Sequence, residues 1–315
     1  MSKEKFEDWR PSESSLETVR TANRIMADYQ AQGYRLSLRQ LYYRFVSLDL
    51  FPEDRRWRRI KSSGKWVKDP KGTKNADPNY KWLGGLLNRG RLAGLVDWEI
   101  LEDRGREVVS NVHWEGPGER LKYAARVFQI DKWIDQPHRV FVLCEKDALS
   151  GVLEPVCREL DVYFTACKGY TSLSHAYEIA SMIREEQYSH DPVILYFGDH
   201  DPSGLDMDRD LQERIELLSG VSFMDFDRLA LTMDQIEEYD PPADPAKLSD
   251  SRAAGYIEKF GETSWEIDSL DPAVLAELTR ESIIKWRDDQ LWEAQLEKQA
   301  HYRARMAEFA EEFEE

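Results

Sequence analysis

The 315-residue chain is 41% hydrophobic and 11% aromatic, enough to bury a core; this excludes wholesale disorder and suggests about two domains of ~100–200 residues each. No apolar run approaches the ~20 residues of a membrane span, and the charged start from Met1 to Asp8 lacks a secretory apolar core. Cys144, Cys157 and Cys167 fit neither a disulfide framework nor a zinc spacing, so a soluble protein of the reducing cytoplasm is expected.

The net charge of −17 is unevenly spread. From Arg55 to Arg91 twelve basic residues meet only Asp69 and Asp77, a local excess of ten positive charges within an acidic chain. Such polarity lets one patch attract phosphate while the remainder repels it.

In chain order, Ser14 and Glu17 have capping-box spacing, and Leu16, Val19, Ala22, Ile25, Met26 and Tyr29 keep one apolar face. This predicts a first helix, broken by Gly33. Ser37 caps a second with Leu38, Leu41, Tyr42, Phe45 and Leu48 on one stripe, ended by Phe51-Pro52. The turn-rich segment from Ser62 to Gly72 predicts a loop or short basic hairpin. A third helix follows from about Tyr80 to Arg91. Helices with a basic hairpin suit a helix-turn-helix or winged-helix module over residues 1–115. Its candidate contacts to double-stranded DNA are Arg55, Arg56, Arg58, Arg59, Lys61, Lys65, Lys68, Lys81, Arg89 and Arg91. Trp57, Trp66 and Trp82 lie among them, as rings able to pack on sugars and bases.

Gly116-Pro-Gly118 marks a boundary, followed by a helix from Glu119 to Trp133. Strands are then predicted at Val140–Cys144, Val162–Thr165, Val193–Phe197 and Arg228–Thr232, alternating with helices through Leu149–Leu160, Leu173–Ile183 and Leu205–Ile215. That alternation implies βαβ units and a mostly parallel sheet over residues 116–242. Residues 243–315 read as a helical extension ending in a long acidic helix through Trp292, Leu296, Met306, Phe309 and Phe313. The fold class expected is α/β: a helical winged-helix-like domain, a Rossmann-like sheet domain and a helical C-terminal extension.

Sites in open parallel sheets lie outside the carboxyl ends of the strands. The first strand of the sheet ends in Glu145 and the third in Gly198-Asp199-His200-Asp201-Pro202-Ser203-Gly204. If those strands are neighbours, three carboxylates share one edge. They repel one another unless a cation sits between them, and an all-oxygen set favours Mg²⁺. His200 is expected to face away, and Lys168, after the second strand, is a candidate phosphate contact.

These residues bring the chain to a known family. Glu145 at one strand end and Asp199-His-Asp-Pro-Ser-Gly204 at another resemble a Toprim domain. The variant is similar to the topoisomerase VI A subunit and its meiotic double-strand-break relatives. In that family a winged-helix domain precedes the Toprim domain and carries a nucleophilic tyrosine in an Arg-x-x-Tyr/Phe-Tyr element, here Arg39-Gln-Leu-Tyr-Tyr43. The resemblance implies Tyr43 as nucleophile, Arg39 stabilising the scissile phosphate or the phenolate, and Mg²⁺ on Glu145, Asp199 and Asp201. It further implies a phosphotyrosyl link, a homodimer whose tyrosine meets the partner's metal, and a separate ATPase subunit. Gln40 stands where an acidic residue is usual, Ser203 where a tyrosine is, and the Lys61–Lys74 insert has no counterpart. Two alternatives remain open: a Toprim nuclease using metal-activated water, or a non-catalytic DNA-binding or assembly protein of a plasmid, phage or defence system.

Overall fold

The computed structural model describes residues 3–60, 63–98, 100–102, 113–221 and 224–312. Helix α1 (Glu13–Ala31) is capped by Ser12, whose hydroxyl accepts from the Ser15 amide, rather than by the expected Ser14. Strand β1 (Leu36–Ser37) leads into α2 (Leu38–Ser47), where Ser37 and Gln40 form a full capping box. This helix stops four residues short of Phe51 because Asp49 takes a left-handed conformation. The basic segment is a hairpin, β2 (Trp57–Arg59) antiparallel to β3 (Trp66–Lys68), with Arg59 opposite Trp66. Helix α3 (Asp77–Leu92) follows, then β4 (Leu101–Glu102), which pairs in parallel with β1. Val19, Met26, Leu41, Phe45, Phe51, Leu83 and Leu87 close the core of this N-terminal part.

Helix α4 (Pro117–Val127) is shorter than expected. Trp133 lies beyond it, fully buried, its indole N–H donating to the Leu160 carbonyl. The sheet then builds up: β5 (His138–Cys144), α5 (Ser150–Glu159), β6 (Tyr163–Ala166), α6 (Leu173–Glu186), β7 (Asp191–Phe197), α7 (Gly204–Ser219) and β8 (Asp225–Ala230). The last strand starts three residues before the expected Arg228, and Leu231 already lies past its end. The order is β6-β5-β7-β8 and every pairing is parallel.

From β5 the chain moves outward to β6, then returns to the other side of β5 as β7. Crossovers of one hand running in opposite directions place their helices on opposite faces. Val152, Leu153 and Val156 of α5 accordingly pack on Val140, Val142, Val193 and Leu195, whereas Ile179, Ile183, Leu211 and Ile215 of α6 and α7 pack on Phe141, Leu143, Ile194 and Tyr196. Strands buried on both faces explain the unbroken apolar runs in the sequence.

Beyond the sheet come α8 (Met233–Tyr239), β9 (Asp244–Pro245), α9 (Ala253–Phe260), β10 (Thr263–Ser264), α10 (Pro272–Ile284) and α11 (Asp289–Glu311). This segment is not a helical appendage alone. β9 pairs antiparallel with β10, and Ile267, Leu270, Leu275, Ile283 and Trp292 fill the α5 side of the sheet core. Phe313 lies outside the described residues, and no helix among them is long and apolar enough to cross a membrane.

Candidate functional site

The central strands β5 and β7 are neighbours, and they flank the point where the sheet order reverses. Crevices at such switch points are where open α/β sheets bind ligands. Glu145 follows β5 directly; its amide still donates to the Phe197 carbonyl at 2.7 Å, while its Oε2 accepts from the Asp199 amide at 2.9 Å. The first acid therefore holds the turn that carries the second.

That turn is built tightly. A Cβ at Gly198 would lie 2.7 Å from the Tyr196 ring and 3.1 Å from Glu145 Oε2. Arg228 of β8 donates to the Gly198 and Asp199 carbonyls, at 3.1 and 2.5 Å. Asp201 Oδ1 turns back to accept from the Ser203 amide, the Ser203 hydroxyl and the Gly204 amide at 2.6–2.9 Å. His200 faces away as expected, its Nδ1 2.9 Å from the Tyr256 hydroxyl, and burial holds its imidazole down to about 4.

Lys146 is the resident cation. Its ammonium lies 2.8 Å from Asp199 Oδ1, 3.0 Å from Asp268 Oδ1 and 3.2 Å from Glu266 Oε2. Asp199 Oδ1 also accepts from the Ile267 amide at 2.8 Å. Burial would drag the ammonium downward, but Asp268, Asp199 and Glu266 outweigh it and hold Lys146 well above its ordinary value. Burial pushes the Asp199 carboxyl up to about 7 despite Lys146, with Glu145 adding repulsion, and burial likewise raises Glu145.

Among the described residues, no group of three or more His, Cys, Asp and Glu side chains is arranged to hold a metal ion. Glu145 and Asp199 are brought together; Asp201 stands in the same turn with one oxygen committed to its own backbone. Mg²⁺ usually takes only one or two carboxylates and keeps several waters. Glu145 and Asp199 are two such buried acids, but Asp199 Oδ1 is already taken by Lys146 at 2.8 Å, so a Mg²⁺ ion there would have to share the pair with that ammonium or displace it.

Tyr43 and Arg39 reach this cluster within one chain. The Tyr43 hydroxyl donates to Glu266 Oε2 at 3.1 Å, and Arg39 pairs with Glu266 and, at 2.9 Å, with Asp268. Tyr43 is 3% exposed, and burial, then Glu266 and Asp268, push its phenol well above the ordinary tyrosine value. Tyr42 is buried too, donating to Asn75 and accepting from the Ala76 amide. Lys168 is exposed at a left-handed turn, 3.4 Å from Asp147.

The basic stretch is partly neutralised by acids just outside it. Glu53 pairs with Arg56, Asp54 with Lys68, and Asp49 and Glu53 with the buried Lys74. Asp69 and Asp77 take Arg58 and Lys81. Arg55 stacks 3.6 Å over Trp82, and Arg91 donates to the Trp98 and Leu101 carbonyls. Arg59, Lys65, Lys81 and Arg89 are exposed, while Lys61 lies outside the described residues. A groove of about 450 Å³ runs from Arg59 and Trp66 of the hairpin to Arg39, Tyr43 and Glu266.

Sequence reasoning missed Glu266, Asp268 and Asp244, the last a groove-lining acid whose Oδ1 accepts from the Asn75 side-chain amide at 3.1 Å. Glu266 and Asp268 repeat the two-residue spacing of Asp199 and Asp201, but the sequence predicts a helical extension over their segment, where that spacing puts side chains on different faces. Comparison with family models and with curated proteins finds no match to this chain.

Proposed function

We propose that the protein binds double-stranded DNA and cleaves its phosphodiester backbone with Mg²⁺ held by Glu145, Asp199 and Asp201. The observation that carries this reading is the placement of Glu145 and Asp199 at adjacent strand ends, on the switch point of a parallel sheet, both destabilised as anions by burial. The Toprim resemblance supports it, as does the groove that runs from the basic hairpin to Arg39, Tyr43 and Glu266, the last of which shares Lys146 with Asp199. When bound, Mg²⁺ would neutralise charge on the scissile phosphate and acidify water. The chain's own part is to fix geometry. Arg228 and Glu145 hold the Asp199 turn, Lys146 holds the Asp199 carboxylate, and Arg59, Lys65 and Arg89 attract the backbone.

Water is the nucleophile in this reading, because the Tyr43 phenol is buried and donates to a carboxylate that opposes its ionisation. A second reading, transesterification by Tyr43 in a homodimer served by a separate ATPase subunit, draws on one observation: Tyr43 and Asp199 share a charged network through Glu266 and Lys146.

Quenching a plasmid-nicking reaction with detergent separates the two. Under the first, Tyr43→Phe keeps most of its activity and no protein stays bound to DNA ends. Loss of activity in Tyr43→Phe, with a detergent-resistant adduct in the wild type, would replace it with the second.

A further inference from the structure

Three donors from two separate segments converge on a single carboxylate oxygen. Arg39 Nη2, the Tyr43 hydroxyl at 3.1 Å and Lys146 Nζ at 3.2 Å all reach Glu266 Oε2. Arg39 and Tyr43 come from adjacent turns of α2, and Lys146 from the end of β5. Two cations and a hydroxyl around one anionic oxygen is the environment a non-bridging phosphate oxygen requires. Glu266 also lines the groove bordered by Arg59 and Trp66.

Glu266 differs from its neighbour in how firmly it is held. Asp268 is fully buried and contacts both Arg39 Nε at 2.9 Å and Lys146 at 3.0 Å. The Glu266 side chain is 22% exposed. If Glu266 swings out, Asp268 keeps both cations in place, and the donors face the groove.

We propose that Arg39, Tyr43 and Lys146 form a receiving site for one anionic oxygen of a nucleic-acid backbone phosphate. Glu266 is its internal occupant in the free protein, displaced as DNA enters the groove. This rests on the reading that DNA is the substrate. A ligand that must expel an internal competitor binds with apparent affinity lowered by the fraction of open sites. Removing the competitor's charge therefore tightens binding.

The test is fluorescence anisotropy of a labelled 20-base-pair duplex in EDTA over a salt series. If the occupied form makes up about nine-tenths of the free protein, Glu266→Gln binds about tenfold more tightly. Its log–log salt slope stays close to that of wild type, because the same phosphates are engaged once Glu266 has been displaced. Adding Arg39→Met to Glu266→Gln cancels the gain. Glu266→Asp, whose shorter carboxylate retreats from the donors, shifts affinity in the same direction and serves if the glutamine variant fails to fold. A folded Glu266 variant that binds no more tightly than wild type overturns the proposal. EDTA separates this outcome from catalysis: absent Mg²⁺-dependent cleavage with tighter Glu266→Gln binding removes the nuclease reading alone. Intact cleavage with unchanged binding removes this inference alone, and absence of duplex binding in every variant removes both.

Discussion

Gly204 opens α7 with no unusual backbone angle; its requirement is space. A Cβ there would lie 2.3 Å from the Asp199 carbonyl oxygen, closer than any backbone atom tolerates. Gly204→Ala must therefore displace the turn that carries Asp199 and Asp201. The expected cost is about 1–3 kcal/mol by urea denaturation, as for other overpacked sites, together with loss of Mg²⁺-dependent cleavage. Wild-type stability and activity would show that the turn moves freely and that its placement is not what makes the site. A second residue-scale feature braces the basic segment. Hydrogen bonds from Arg56 and then Lys74 hold the Glu53 carboxyl down to about 2. A carboxyl lowered on folding contributes stability above its ordinary value of 4.5, lost as pH falls through the folded value. The stability difference between wild type and Lys74→Met should thus hold from pH 7 to 5 and shrink below 4.5. A difference that stays constant down to the folded value contradicts the pairing.

At the scale of elements, the proposed function assigns duplex contact to the β2–β3 hairpin. The ten-charge excess of the Arg55–Arg91 stretch around it overstates what a duplex would meet, because Asp49, Glu53 and Asp54 fold onto Lys74, Arg56 and Lys68. Reversing the exposed Arg59 and Lys65 should flatten the log–log salt dependence of duplex binding by about two. Arg58→Glu, whose parent side chain already pairs with Asp69 at 2.8 Å, should change it less. Equal effects would mean that the pairings dissolve on binding. The hairpin was legible because turn residues and lysines alternate with tryptophans over a short span. Its neutralisation was not, since a one-dimensional window stops at Arg55 while ion pairs form across folds in the chain. The Ser37–Gln40 box was equally plain in sequence, whereas the end of α2 depended on Asp49 adopting a left-handed conformation that an apolar stripe does not reveal.

For the whole molecule, the four parallel strands followed from apolar runs alternating with helices, while the neighbouring placement of Glu145 and Asp199, only conditional in the sequence, comes from the β6-β5-β7-β8 order. What the sequence hid was the return of residues 266–292 to the sheet. Ile267, Leu270, Leu275, Ile283 and Trp292 are buried there, and at ~1.5–3 kcal/mol for each buried side chain they supply energy comparable with the ~5–15 kcal/mol stability of a domain. The same return delivers Glu266 and Asp268 to the strand ends, so one chain assembles N-terminal helix, sheet and C-terminal loop into a single charged site. The most direct test of this account is the rate of supercoiled-plasmid nicking over a Mg²⁺ series, for wild type beside Asp199→Asn, with duplex affinity measured on the same samples. The account predicts Mg²⁺-dependent nicking by wild type, and at least about a hundredfold loss in Asp199→Asn with DNA binding and folding retained. Nicking that persists in Asp199→Asn, or that ignores Mg²⁺, would contradict it.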